Sequence, residues 1–330
     1  MRLIRIVLLL ALIPFATRLG PQINVALSRV TAVYADYSIP EADRHFRTAA
    51  EVVEPLHSEV GRPAPTDWLA TVVEPGQTFA QYATGNPVTP TQSRNTLYVQ
   101  PIGDFTAEQR RIVDLTAEYL SYFFSAPVEM LSDVPVDRIP KQAQRIHPLT
   151  QELQFSTSFI QYQLLKPDLP EDAIAVLALT ATDLWPGGNT NFVFGQASLI
   201  NRVGVWSMAR FGDPSIGELE FAECLKRTIG TATHETGHML SMRHCIFFNC
   251  NMSGSGSLAE ADRHPLYLCP ECLPKLHWAT RCDPIHRFRK LADFCSRHNL
   301  HDSARYYFEA ANRFQQEQGM ALHPGAWEAM

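Results

Sequence analysis

The sequence predicts an α/β domain: a mixed, twisted sheet packed by helices, with one long helix and a helical C-terminal extension. Three observations carry this. Short apolar strands alternate with helical patterns between Leu97 and Leu179, as in sheets flanked by helices. Two further strand-like runs follow, at residues 192–198 and 203–208. A long helical pattern then runs from Ile216 to about Ser241.

The elements read in order. Residues 44–56 suit a short helix with Ala49, Val52, Val53 and Leu56 on one face. Residues 61–95 carry Pro63, Pro65, Pro75, Gly76, Gly85, Pro87 and Pro90 and read as linker or extended loop. Residues 97–102 form a strand ended by Gly103, and Thr106 caps a helix reaching about Phe124, with Glu108 and Gln109 in its first turn. Residues 128–131 are a second strand, and residues 151–165 read as a helix. The unbroken apolar run 173–179 is a buried strand. The loop over residues 184–188 leads from it to the strand pair. Residues 284–314 are helical, with a break near residues 299–302.

Composition bounds the function. With 45% apolar and 19% charged residues in 330, the chain can bury a sizeable core. Lys and Arg number 28 against 34 Asp and Glu, a net charge of −6, so there is no global basic field for nucleic acid. Arg2 and Arg5 precede the apolar residues 6–16, the pattern of a secretory signal. That run is shorter than the roughly 20 residues of a membrane-spanning helix. The expectation is export or tethering to a membrane through this segment; the alternative is an N-terminal helix packed on a cytoplasmic protein.

The informative stretch begins at His234. His234 and His238 are four apart on a predicted helix, which puts both imidazoles on one face, able to share a zinc ion. Glu235 points off that axis, toward the place of an activated water, and suits a general base. His244 follows six residues after His238, so the helix must end near Ser241 and turn back for it to become a third ligand. Three protein ligands leave one open position, the catalytic arrangement. Cys245 and Cys250, then Cys269 and Cys272, have the spacing of a closed four-thiolate zinc site. The alternative is two disulfides across short, strained loops. Cys224, Cys282 and Cys295 read as small apolar residues.

Together these residues resemble the archaemetzincins, a family of metzincin zinc metalloproteases. The family pattern is matched by His234, Glu235, His238, His244, Cys245, Cys250, Met252, Cys269 and Cys272. The resemblance implies a metzincin-like zinc metalloprotease fold with two zinc ions per chain. One is catalytic, on the three histidines, with Glu235 as base; the other is structural, on the four cysteines. It further implies that Met252 forms the Met-turn beneath the catalytic metal. Phe192, Val193, Phe194 and Gly195 then belong to an edge strand that binds extended peptide by strand addition. Two departures stand out. Ser241 occupies the position of the motif's glycine, and the interval from Met252 to Cys269 is one residue shorter than in the family.

The resulting division is a signal or anchor segment (1–20), an N-terminal extension, partly loop (21–95), a catalytic domain with two zinc sites (96–276) and a helical C-terminal segment (277–330). The expected function is a monomeric zinc metallopeptidase acting on peptide or protein. The alternative is a zinc-binding protein of the same fold that serves as a binding module.

Overall fold

The computed structural model describes residues 39–317, so the segment 1–20 lies outside the described residues. Helix Arg44–Glu51 (α1) opens this region. The stretch expected to be linker contains the single-turn helix Trp68–Thr71 (α2) and the helix Phe79–Thr84 (α3). Thr78 and Gln81 form a capping box at the start of α3. Phe79, Ala80 and Tyr82 are buried, and the Tyr82 hydroxyl donates to the Leu240 carbonyl at 2.9 Å. The prolines here shape a strap laid on the main domain rather than a free linker.

Strand Thr96–Ile102 (β1) is buried throughout, and helix Ala107–Phe124 (α4) follows it behind the Thr106–Gln109 capping box. Strands Val128–Met130 (β2) and Gln144–Ile146 (β3) come next. The predicted helix over residues 151–165 is only partly present. Its first part is strand Leu153–Ser156 (β4), where Leu153 and Phe155 alternate with Gln154 and Ser156; this period of two overrides the helical reading. Ser156 then caps the helical turn Thr157–Phe159, which widens into a π-helix over Ile160–Leu165.

Strand Ala173–Thr180 (β5) is buried on both faces. Asp183–Trp185 (β6), predicted as loop, is a strand parallel to β4. Gly195–Ala197 (β7) and Val203–Ser207 (β8) pair antiparallel. The main sheet runs β2-β1-β5-β8-β7, with four parallel strands and β7 on an edge. A second sheet runs β3-β4-β6.

Helix Glu218–Met239 (α5) lies against β7 and β8. It is followed by the single-turn helix Leu258–Ala261 (α6) and helix Leu273–Thr280 (α7). Helices Pro284–Arg297 (α8) and His301–Glu317 (α9) pack on each other, and α8 also packs on α4. The break between them falls at Asn299, whose φ is +59°. One core cluster joins β1, β5, α4, α5 and the C-terminal helices to Cys245, Cys250, Cys269 and Cys272. Among the described residues no helix is long and apolar enough to cross a membrane.

The end of α5 sets up the site. Met242 N–H donates to Gly237 O and Ser241 N–H to His238 O, which closes a Schellman motif with Ser241 in the left-handed region at φ +66°. A non-glycine residue there costs about 1–2 kcal/mol. Local hydrogen bonds offset this: Ser241 Oγ donates to Leu199 O at 2.8 Å and accepts from Val88 N–H at 3.0 Å. Ser241→Ala keeps the backbone strain and loses both bonds, so it should lower unfolding free energy by about 2 kcal/mol. Ser241→Gly relieves the strain while losing the same bonds and should be close to neutral. Urea denaturation of the two variants checks the pair.

Candidate active site

The turn after α5 brings His244 back beside His234 and His238. Their ligating nitrogens all lie within 4.8 Å of one another. His238 Nε2 is 3.0 Å from His234 Nε2, near the roughly 3.3 Å edge expected for zinc–nitrogen bonds of about 2.0–2.1 Å. Each imidazole is held from behind at Nδ1. His234 Nδ1 meets Asn251 O, His238 Nδ1 meets Met242 O, and His244 Nδ1 meets Glu74 Oε1, each at 2.7 Å. Backbone carbonyls and an ionised carboxylate only accept, so each Nδ1 carries the proton. Each Nε2 then presents its lone pair inward, as a metal ligand requires. Burial, then the neighbouring His238 and His244, holds His234 far below the usual histidine range, and burial holds His238 at about 4. Both are neutral near pH 7.

Glu235 is buried on the same turn. Burial pushes its carboxyl up to about 8, so it takes up a proton readily. Gly195 on β7 makes room for it. A β-carbon there would stand 2.6 Å from Glu235 Oε1 and 2.7 Å from its Cγ. Gly195→Ala should therefore displace the carboxylate and lower turnover by about 100-fold, with zinc content unchanged. Steady-state kinetics beside metal analysis reads this out. On the other side of the helix, Met252 packs under Gly237, where a β-carbon would stand 2.5 Å from its Sδ. Met252 therefore packs against α5 at Gly237, next to His238 in sequence.

The four cysteines also converge. Their sulfurs lie within 4.8 Å of one another, and Cys245 Sγ is 3.6 Å from Cys269 Sγ. Tetrahedral zinc with bonds of about 2.3 Å needs edges of about 3.8 Å. Hydrogen bonds from Cys250, Cys269 and Cys272 favour the thiolate of Cys245. Lys275, fully buried, sits with Nζ 3.9 Å from Cys272 Sγ and also donates to Gln77 O. Burial opposes its charge, but Cys272 and Glu271 outweigh that and raise its pKa. Glu271, between the last two cysteines, accepts from Phe79 N–H and pairs with Arg47 at 2.6 Å. The cysteine knuckle thus clamps the N-terminal strap. Of the remaining cysteines, Cys224 and Cys295 are buried as expected, while Cys282 is only half-buried.

A cleft of about 590 Å³ opens at His234, Glu235 and His244. Phe192, Val193, Phe194 and Gly195 line one wall, as expected. The strand they were expected to share is shorter than predicted. Val193 N–H bonds Leu184 O at 3.3 Å, and Arg145 holds Asn191 O at 2.7 Å. These bonds bend residues 191–193 toward the small sheet, and pairing with β8 begins only at Phe194 O. Arg210 stacks 3.7 Å over the Phe192 ring while it pairs with buried Asp183 at 2.7 Å.

Two site residues escaped the sequence reading: Trp68, which lines the cleft, and Glu74, which holds His244. The hydrogen-bonded residues Glu74 and His244 are separated by 170 positions, and no local spacing marks the pair.

A family model described as Peptidase family M54 matches residues 152–278, which include all three histidines, Glu235, Met252 and the four cysteines. The chain is 34% identical to Archaemetzincin-2 of Homo sapiens over 280 residues, which span 74% of this chain and 75% of that protein. It is 29% identical to Archaemetzincin-1 of Homo sapiens over 257 residues, which span 68% of this chain and 51% of that protein. A solved archaemetzincin from Methanopyrus kandleri is 28% identical and covers 58% of this chain and 99% of that one, with a TM-score of 0.47. With a relative at this identity over three quarters of the chain, the protein belongs to the archaemetzincins, peptidase family M54, and is a zinc-dependent metallopeptidase acting on peptide or protein substrates.

Proposed function

We propose that His234, His238 and His244 hold the catalytic zinc, that Cys245, Cys250, Cys269 and Cys272 hold a second, structural zinc, and that Glu235 is the general base. The observation that carries the reading is the set of three Nδ1 hydrogen bonds, which turn every Nε2 lone pair to one point. A zinc ion held there by His234, His238 and His244 would supply Lewis acidity to polarise a carbonyl and make water a better nucleophile. Glu235 takes one proton from the attacking water onto its carboxylate. It then gives that proton to the amine nitrogen as the C–N bond breaks, so protons balance over the cycle. Met252 supplies an apolar floor, and the cysteine site fixes the loop that carries His244.

The free edge of β7 suits an extended peptide. Phe194 O and Ser198 N–H bond β8. Alternation in an antiparallel pair then leaves the backbone groups of Gly195 and Ala197 facing the cleft side. Substrate thus lies as an added strand, with its scissile carbonyl near Glu235. A non-catalytic binding module would be favoured if Ser241 disrupted the turn after α5, but the partnered Ser241 still closes the turn that delivers His244. A chelator titration tests the proposal. Cleavage of a mixed peptide library should disappear as the histidine-site zinc is removed, with the fold retained, and return on adding zinc. Cleavage that persists in chelator would contradict it.

A further inference from the structure

His234 and His238 are oriented by backbone carbonyls, but His244 is oriented by a carboxylate from outside the metal-binding motif. We propose that Glu74 is a positioning residue for the peptidase centre, and that the strap around residues 68–77 is therefore part of the catalytic apparatus. The inference rests on His244 being a zinc ligand, as proposed above.

The geometry is specific. Glu74 Oε1 lies 2.7 Å from His244 Nδ1 and also accepts from Trp68 Nε1 at 2.9 Å. Both partners are pure donors at these atoms, so one oxygen is fixed from two directions. The Trp68 ring meets the His244 ring edge-on, with centroids 5.6 Å apart and planes at 84°. Trp68 is itself anchored, since its backbone N–H donates to both carboxylate oxygens of buried Glu260, at 2.9 and 3.0 Å.

The same strap grips the loop below. Gln77 Nε2 donates to Ser241 O and Gln77 Oε1 accepts from Arg243 N–H, each at 3.1 Å. His244 is thus fixed at its ring by Glu74 and at its approach by Gln77. It needs this support more than its partners do, because they ride on α5 while it stands beyond the helix end. A carboxylate behind an imidazole also strengthens it as a donor, in a way that a carbonyl does less.

The test uses the full chain loaded with zinc at the cysteine site, comparing wild type, Glu74→Gln and Glu74→Ala. Zinc affinity at the histidines is read by chelator competition. The visible spectrum of cobalt(II) placed at that site reports ligand geometry. Glu74→Ala should weaken zinc by about 10- to 100-fold and shift the cobalt spectrum. Glu74→Gln keeps an oxygen that can accept both N–H groups but lacks the charge. It should lose about tenfold, with a smaller spectral shift and an unchanged unfolding midpoint. Wild-type affinity and spectrum in both variants would overturn the proposal. So would loss in Glu74→Ala alone that tracks a drop in unfolding midpoint, because that marks packing only. Failure of the underlying site reading would look different: no metal at the histidines in wild type, or wild-type affinity in His244→Ala.

Discussion

Glu235→Gln should retain both zinc complements and the wild-type unfolding midpoint while peptide turnover falls by at least about 10²–10⁴, the share that general acid–base catalysis supplies. The carboxylate is not placed as a ligand. The proposed zinc ligands are histidines whose Nδ1 atoms are held by Asn251, Met242 and Glu74, and glutamine disturbs none of these bonds. Glutamine also fits the space that Gly195 leaves. Stability should not suffer, since burial already raises this carboxyl toward its neutral form and a neutral amide avoids the cost of burying charge. What glutamine lacks is the ability to take a proton from water and return it to the leaving amine. Equal cleavage by wild type and variant, both fully metallated, would exclude this mechanism.

The second large effect is structural. Cys269→Ser should cost the chain one zinc ion and most of its stability, because a structural zinc contributes about 10 kcal/mol or more of binding energy in small zinc modules. The loss cannot stay local. Cys269 N–H and Met252 N–H both donate to Cys250 Sγ at 3.4 Å, so the knuckle also anchors the methionine floor. Cys245 adjoins His244 in sequence, and Glu271 ties the knuckle to Phe79 of the strap and to Arg47 of α1. Peptidase activity should therefore fall together with the unfolding midpoint. His238→Ala offers the contrast: it should lose one zinc and all activity while the core around the cysteines stays folded. Thermal unfolding and zinc content on the two variants separate the roles. Similar melting curves for both would show that the cysteines hold no stabilising metal.

The two clusters of candidate metal ligands were legible because their chemistry is written in short intervals. His234 and His238 share a helix face, Cys269 and Cys272 share one knuckle, and His244 demanded a turn that the backbone makes at Ser241. The strands that read well, β1 and β5, are buried along their whole length, so burial itself writes the pattern. The second sheet was missed because β3 and β6 have three residues each, too few for any periodicity to show. β4 was hidden by running directly into a helical segment. Glu74 and Trp68 were illegible for a different reason. They lie among prolines and glycines that read as loop, and their value comes from where the strap is pinned by Glu260, Glu271 and Lys275. Long-range pairings of that kind leave no trace in local sequence.

In the proposed arrangement hydrolysis depends on a metal held by three histidines, in a chain that carries a second metal for structure. The most direct test measures zinc content and cleavage of a mixed peptide library on one preparation of the full-length chain. Two zinc ions per chain and cleavage of library peptides are the expected result. One zinc per chain with Cys245 and Cys250 oxidised would contradict the two-site arrangement, and a fully metallated chain that cleaves nothing in a broad library would contradict the catalytic one.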